Sequence, residues 1–153
     1  MMAPYYLIRT VSLGTEEAVA SEIRAMGYDA WAPFEVRGYR VTRRMAVYRH
    51  REYPILPRGL LAAIPEAAHG DLQRIRDFDC IQRDTALAPV KIPANHIRIF
   101  RDRVVDWNER ELRRINAGNR GKPAKKAWRR IDPDSLPGIM ATLFGTPLDA
   151  GAV

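Results

Sequence analysis

The stretch Tyr5-Tyr6-Leu7-Ile8-Arg9-Thr10-Val11-Ser12-Leu13-Gly14-Thr15-Glu16-Glu17-Ala18-Val19 decides how the rest of this chain is read. Its first six residues have the aromatic and aliphatic make-up of an extended strand. Ser12-Leu13-Gly14-Thr15 supplies a turn, with Thr15 as N-cap and Glu16 and Glu17 at the positive end of a helix dipole. Val19, Ile23 and Met26 recur at i, i+4 and i+7, an apolar stripe that predicts a helix over 15–26. Gly27 stands where a left-handed C-cap belongs.

Downstream of this stretch, residues 28–36 with Trp31 and Phe34 predict a second strand interrupted at Pro33. Residues 37–44 hold Gly38 and four arginines and read as a hairpin tip. Residues 45–53 alternate Val47, Arg49 and Arg51 against Tyr48, His50 and Glu52, a strand with one wet face. Ile55-Leu56-Pro57-Arg58-Gly59 breaks it, and the apolar run 59–64 suits a central strand. A loop over 65–70, a short helix over 71–76 capped by Asp71, and a short strand over 80–82 follow. Pro93 suits a first helical turn. Ile97, Phe100, Val104 and Trp107, continued by Leu112 and Ile115, mark a long helix that Gly118 stops. Strands joined by hairpins rather than helical crossovers point to an α+β fold. The expected architecture is a mainly antiparallel four- to five-stranded sheet flanked by helices, over 1–117. A basic, Gly/Pro-bearing C-terminal arm is expected over 118–153.

The chain has 153 residues, enough for one domain with its own core. Cys80 is the only cysteine, which excludes an internal disulfide and reads as a small buried hydrophobe. No apolar run approaches the ~20 residues of a membrane span, and the start of the chain lacks the pattern of a signal peptide. The expected setting is cytoplasmic, with no membrane partner. The net charge is +7, from 25 Lys+Arg against 18 Asp+Glu. It is concentrated in two blocks. Residues 37–58 hold seven arginines against Glu52 alone, and residues 110–130 hold nine basic side chains against Glu111 alone. Clustered arginine with interleaved aromatics points to an anionic partner, nucleic acid first.

Signals for catalysis are missing. His50, His69 and His96 lie far apart, without metal-ligand spacing. Asp77, Asp79 and Asp84 imitate a nuclease carboxylate cluster but lack a Lys or His partner, so cap and turn duty suits them better. No phosphate-binding loop or nucleophile elbow is present. The expectation is a binding protein, not an enzyme, without a cofactor, a metal or catalytic residues.

Several segments in order carry a resemblance: Tyr5-Tyr6-Leu7-Ile8-Arg9-Thr10, the Glu16-Glu17 helix start, Gly27-Tyr28-Asp29-Ala30-Trp31-Ala32-Pro33, an arginine-rich hairpin, Pro54-Ile55-Leu56-Pro57-Arg58-Gly59-Leu60-Leu61, Leu72-Gln73-Arg74-Ile75-Arg76, and Ala86-Leu87-Ala88-Pro89-Val90-Lys91-Ile92-Pro93 before the last helix. Together, over about residues 5–110, they resemble the N-terminal domain of NusG-type transcription elongation factors. Leu56-Pro57-Arg58-Gly59 departs from that family's aromatic-bearing proline motif. Residues 119–153 show no sign of the small β-barrel KOW domain that usually follows. The resemblance therefore looks like a domain-only version, of the kind expected of a phage or mobile element.

The resemblance implies a monomer that docks on the clamp helices of the RNA polymerase largest subunit and steadies upstream DNA, suppressing pausing or causing antitermination. The implied polymerase contacts are Tyr6, Ile8, Ile55, Leu56, Pro57, Arg58 and His69. For Tyr6 and Leu56 a core role is an equal alternative, and for Ile8 it is the better one. Arg37, Arg40, Arg43 and Arg44 fall where the family places a loop near upstream DNA. Lys122, Lys125, Lys126, Arg129 and Arg130, with Trp128 among them, form a second candidate contact with DNA or nascent RNA, or a solvated charge run. Two other readings are a free-standing nucleic-acid-binding regulator that needs no polymerase and a nuclease using the three aspartates.

Overall fold

The structure is a computed structural model that describes residues 3–41 and 47–119. Its elements run β1 (Tyr5–Thr10), α1 (Glu16–Ala25), β2 (Asp29–Trp31), β3 (Phe34–Arg40), β4 (Tyr48–Pro54), β5 (Gly59–Ala63), a 3-10 helix (Glu66–Arg74), β6 (Phe78–Ile81), β7 (Lys91–Ile92) and α2 (Ala94–Asn119). The fold is α+β, as the hairpin connections predict. A five-stranded antiparallel sheet has the order β2-β5-β1-β6, with β7 also paired to β1. A separate two-stranded ribbon consists of β3 and β4.

β1 is the centre of the sheet and is covered on both faces, which is why Tyr5–Ile8 is apolar without alternation. Tyr6 and Ile8 pack with Val19, Ala20 and Ile23 of α1 and with Leu72 of the 3-10 helix. Tyr5 and Leu7 pack on the other face with Ile97, Phe100 and Val104 of α2. Fully burying each such side chain is worth about 1.5–3 kcal/mol.

Local chemistry differs from the sequence expectation at several points. Thr15 makes no capping bond; its hydroxyl donates to the Ser12 carbonyl. The Glu16 carboxylate accepts from the Gly14 and Arg58 amides at 2.9 Å each. It thereby ties the start of α1 to the Leu56–Gly59 turn, where Arg58 sits at φ 58°, a left-handed conformation. Gly27, at φ 94°, follows α1 as its pattern predicts.

The span 28–36 is two strands in different sheets. The chain leaves the main sheet at Ala32-Pro33 and enters the ribbon at Phe34. The expected hairpin tip at 37–44 is strand through Arg40, and the expected loop at 65–70 lies largely within the 3-10 helix. That helix begins at Glu66, so Asp71 is inside it rather than capping it. Cys80 is exposed rather than buried, on β6 at the edge of the sheet.

Gly118 is the residue before the last one of α2. It is buried inside the helix against Tyr48, where an added Cβ would lie 2.9 Å from the ring. The glycine here permits a close approach instead of a turn. Trp107 and Leu112 are only half-buried, while Glu111 is buried in their place. The drift of the apolar stripe has a physical cause: the first half of α2 covers the main sheet, and the second half covers the polar edges of the ribbon.

Tyr5 donates its hydroxyl to Asp29, which also accepts from Arg101 of α2 at 3.5 Å. Burial first, and this bond second, push the Tyr5 pKa up from 10.0 to about 12. A group with a raised folded pKa stabilises fully below its unfolded value and loses that contribution as pH rises. Denaturant stability is therefore expected to fall between pH 10 and 12, and Tyr5→Phe to flatten that fall; an unchanged slope in the variant would contradict the assignment.

Candidate nucleic-acid interface

The ribbon's geometry follows from its register. Arg37 pairs with Arg51, Gly38 with His50 and Tyr39 with Arg49. The Val41 amide donates to the Val47 carbonyl at 3.0 Å, so backbone groups at 34, 36 and 38 turn away from β4. Exposed backbone of this kind is a liability at a strand edge. Here α2 covers it. Asn108 donates to the Phe34 carbonyl and accepts from the Val36 amide, both at 2.9 Å. Glu111 accepts from the Gly38 amide at 3.1 Å and is itself held by Arg114. Near the end of α2, Asn119 accepts from the Tyr48 amide at 2.7 Å and donates to the Tyr48 carbonyl at 3.0 Å.

The helix thus crosses beneath the ribbon and grips both strands. Gly38 allows the crossing: a Cβ there would lie 2.8 Å from Ile115. Gly38 and Tyr48 fix which ribbon face meets α2. Alternation then puts Glu35, Arg37, Tyr39, Arg49, Arg51 and Tyr53 on the opposite face.

On that outer face the Arg37 guanidinium lies over the Tyr53 ring at 4.6 Å, and the Arg51 guanidinium over the Tyr39 ring at 4.7 Å. The two arginines are direct cross-strand partners, and each leans diagonally onto a tyrosine of the other strand. Arg37 also donates to the buried Glu35 carboxylate at 3.1 Å. Hydrogen bonding with Tyr39, and to a lesser extent with Tyr53, holds the Arg51 pKa above its ordinary value. Arg49 and Arg51 are exposed. Like charges directly opposite each other normally repel, and the tyrosine faces offset that repulsion.

Of the arginines expected at the hairpin, Arg37 lies on this face. Arg40 lies on the alternate face of β3, with Gly38. Arg43 and Arg44 fall outside the described residues, as do Lys122, Lys125, Lys126, Arg129 and Arg130. Sequence reasoning missed Arg49, Arg51, Tyr39 and Tyr53 as one set. Their period-two spacing was the available signal, but only the register joins the two strands.

The expected polymerase anchors separate into two groups. Tyr6, Ile8 and Ile55 are at most 1% exposed, so their side chains belong to the core and are not available to a partner. His69 packs edge-on against Tyr6 at 4.6 Å and sits 3.2 Å from the Ile64 carbonyl, a structural position. Leu56 is half-buried against the α2 side of the core. Pro57 and Arg58 are exposed on the turn, beside the exposed Val11 and Leu13. The Thr10 amide, which donates to the Arg58 carbonyl at 3.0 Å, brings these two loops together.

Among the described residues no group of three His, Cys, Asp or Glu side chains could hold a metal ion, and no helix is long and apolar enough to cross a membrane. Asp84 accepts from the Ala86 and Ala88 amides, which is turn duty, and Asp79 faces Arg58 at 3.8 Å. No family model matches the chain, and no curated protein matches it.

If α2 holds the ribbon as described, Asn108→Ala strips two backbone groups of their partners and costs about 1–3 kcal/mol. Denaturant unfolding is expected to show a lower midpoint, and amide exchange is expected to rise at Val36 before it rises in β1. Uniform acceleration across both strands would contradict a local grip.

Proposed function

We propose that this chain is a transcription elongation regulator of the NusG type. It binds RNA polymerase at the clamp helices of the largest subunit and steadies upstream DNA, so that pausing is suppressed or terminators are read through. It acts by binding, as a monomer in the cytoplasm, without catalysis or a cofactor. One observation carries the reading: an arginine-tyrosine ribbon inserted between β2 and β5, where the family resemblance implies a hairpin near DNA.

With Tyr6, Ile8 and Ile55 in the core, the proposed polymerase contact is the exposed sheet end. Val11, Leu13, Pro57 and Arg58 form it, with the partly buried Leu56 at its base. Exposed apolar side chains beside a fixed cation suit docking against a partner helix. The basic stretch at 120–130 is a second proposed contact, with DNA or nascent RNA.

A free-standing nucleic-acid-binding regulator is the second reading. It is favoured by the completeness of the outer ribbon face, which draws all its residues from β3 and β4. Co-purification with purified polymerase, followed by transcription over a terminator, separates the two. The first reading expects a stable complex, altered pausing, and loss of both on Pro57→Asp with Arg58→Glu. Absence of a complex, with tight binding to bare nucleic acid that weakens steeply with salt, would replace it with the second.

A further inference from the structure

The two edges of the ribbon are treated differently. Helix α2 covers the edge of β3, but the edge of β4 stays largely open. The bond from Val41 to Val47 sets the phase of the ladder. Arg49, Arg51 and Tyr53 therefore bond across to β3, while Tyr48, His50, Glu52 and Pro54 turn their backbone groups outward. Asn119 takes both backbone groups of Tyr48, and Pro54 has no N–H to offer. Between these ends, the N–H and C=O groups of His50 and Glu52 have no partner among the described residues. Every residue from Arg49 to Tyr53 is exposed. An open strand edge of this kind is a template for pairing with another chain.

We propose that the free edge of β4 binds an extended acidic segment of a partner protein, which adds to the ribbon as a third, antiparallel strand. Alternating N–H and C=O groups at the strand repeat are complemented by another peptide strand. The partner residue that bonds to His50 has its two neighbours opposite Arg49 and Arg51, on the outer face. Acidic side chains at those two positions each meet an exposed arginine. Arg51 is already held in place over the Tyr39 ring. Glu52 does not oppose this attraction, because alternation puts its side chain on the other face with His50. A second copy of this chain is a poor occupant: antiparallel pairing through both His50 and Glu52 sets Arg51 against its own counterpart. The chain's own Asp132-Pro133-Asp134 has acids two apart, but a proline where an N–H must be given. The proposal goes beyond the transcription reading and does not depend on it.

The test is fluorescence anisotropy of the full chain with a labelled, end-blocked peptide Tyr-Thr-Glu-Thr-Glu-Thr. Its glutamates face Arg51 and Arg49 when its first two threonines bond to Glu52 and His50. Two further peptides separate backbone from charge: one N-methylated at those two threonines, and one with lysine for both glutamates. The parent peptide is expected to bind and the lysine peptide is not. N-methylation removes two hydrogen bonds and is expected to weaken binding about 5- to 150-fold. Arg49→Glu with Arg51→Glu is expected to reverse the preference, losing the glutamate peptide and gaining the lysine one, which a misfolded variant would not do. Hydrogen exchange at the His50 and Glu52 amides is expected to slow when the parent peptide is added.

An N-methylated peptide that binds as tightly as its parent would overturn the strand addition and leave the ribbon as a charged surface only. Absence of binding by the parent peptide would overturn it too. So would slow exchange at His50 and Glu52 before any peptide is added, because the edge is then already covered. Exchange that quickens on dilution would assign that cover to a second copy, and exchange indifferent to dilution would assign it to the chain itself.

Discussion

The side-chain grip of α2 on the β3–β4 ribbon is the interaction on which the rest of the molecule's surface depends. An isolated two-stranded ribbon is marginal in water. This one has little apolar surface of its own: β4 is mostly exposed, and among the β3 side chains Val36 is the fully buried apolar one. It persists as an ordered element because Asn108, Glu111 and Asn119 replace a missing neighbour strand, while Gly38 and Gly118 bring helix and ribbon close enough for those bonds. The same helix covers the main sheet through Ile97, Phe100 and Val104. One element therefore ties the ribbon's position to the core.

That arrangement also decides which charges are presented. With one ribbon face against α2, the strand alternation sends Arg37, Arg49 and Arg51 to the other, along with Tyr39 and Tyr53. The arginines do not wave freely from a tip. Two of them are held over rings, so part of the entropy that would be lost on ligand binding is already lost on folding. The sheet end carrying Val11, Leu13, Pro57 and Arg58 is a second surface of a different kind, apolar with a fixed cation. Its shape is set by the Glu16 carboxylate, which holds the Arg58 turn against the start of α1.

The strands, the helices and the α+β class were legible in the sequence wherever burial repeats with a regular period. The Tyr5–Ile8 run, the Val19–Ile23 stripe and the Ile97–Val104 stripe are such places. Features that depend on partners distant in sequence were not legible. Gly118 reads locally as a helix stop, and only Tyr48, seventy residues away, explains why it is a packing glycine. Tyr6 read as well for an exposed anchor as for a core, because a strand covered on both faces has no polar side to break the tie. Arg49 and Arg51 stood in plain alternation, yet their union with Arg37 and Tyr39 needs a register that a single strand does not encode. The split of 28–36 between two sheets is of the same kind, since Pro33 marks a break but not a change of partner.

We propose the ribbon fixed by α2 as the nucleic-acid surface of this protein. Backbone amide chemical shifts of the full chain, followed during titration with a single-stranded oligonucleotide, test it most directly. The largest changes are expected on Arg37–Tyr39 and Arg49–Tyr53, with the α2 side of the ribbon and the main sheet nearly unmoved. Changes centred on the Val11–Leu13 and Pro57–Arg58 loops, with the ribbon silent, would contradict it.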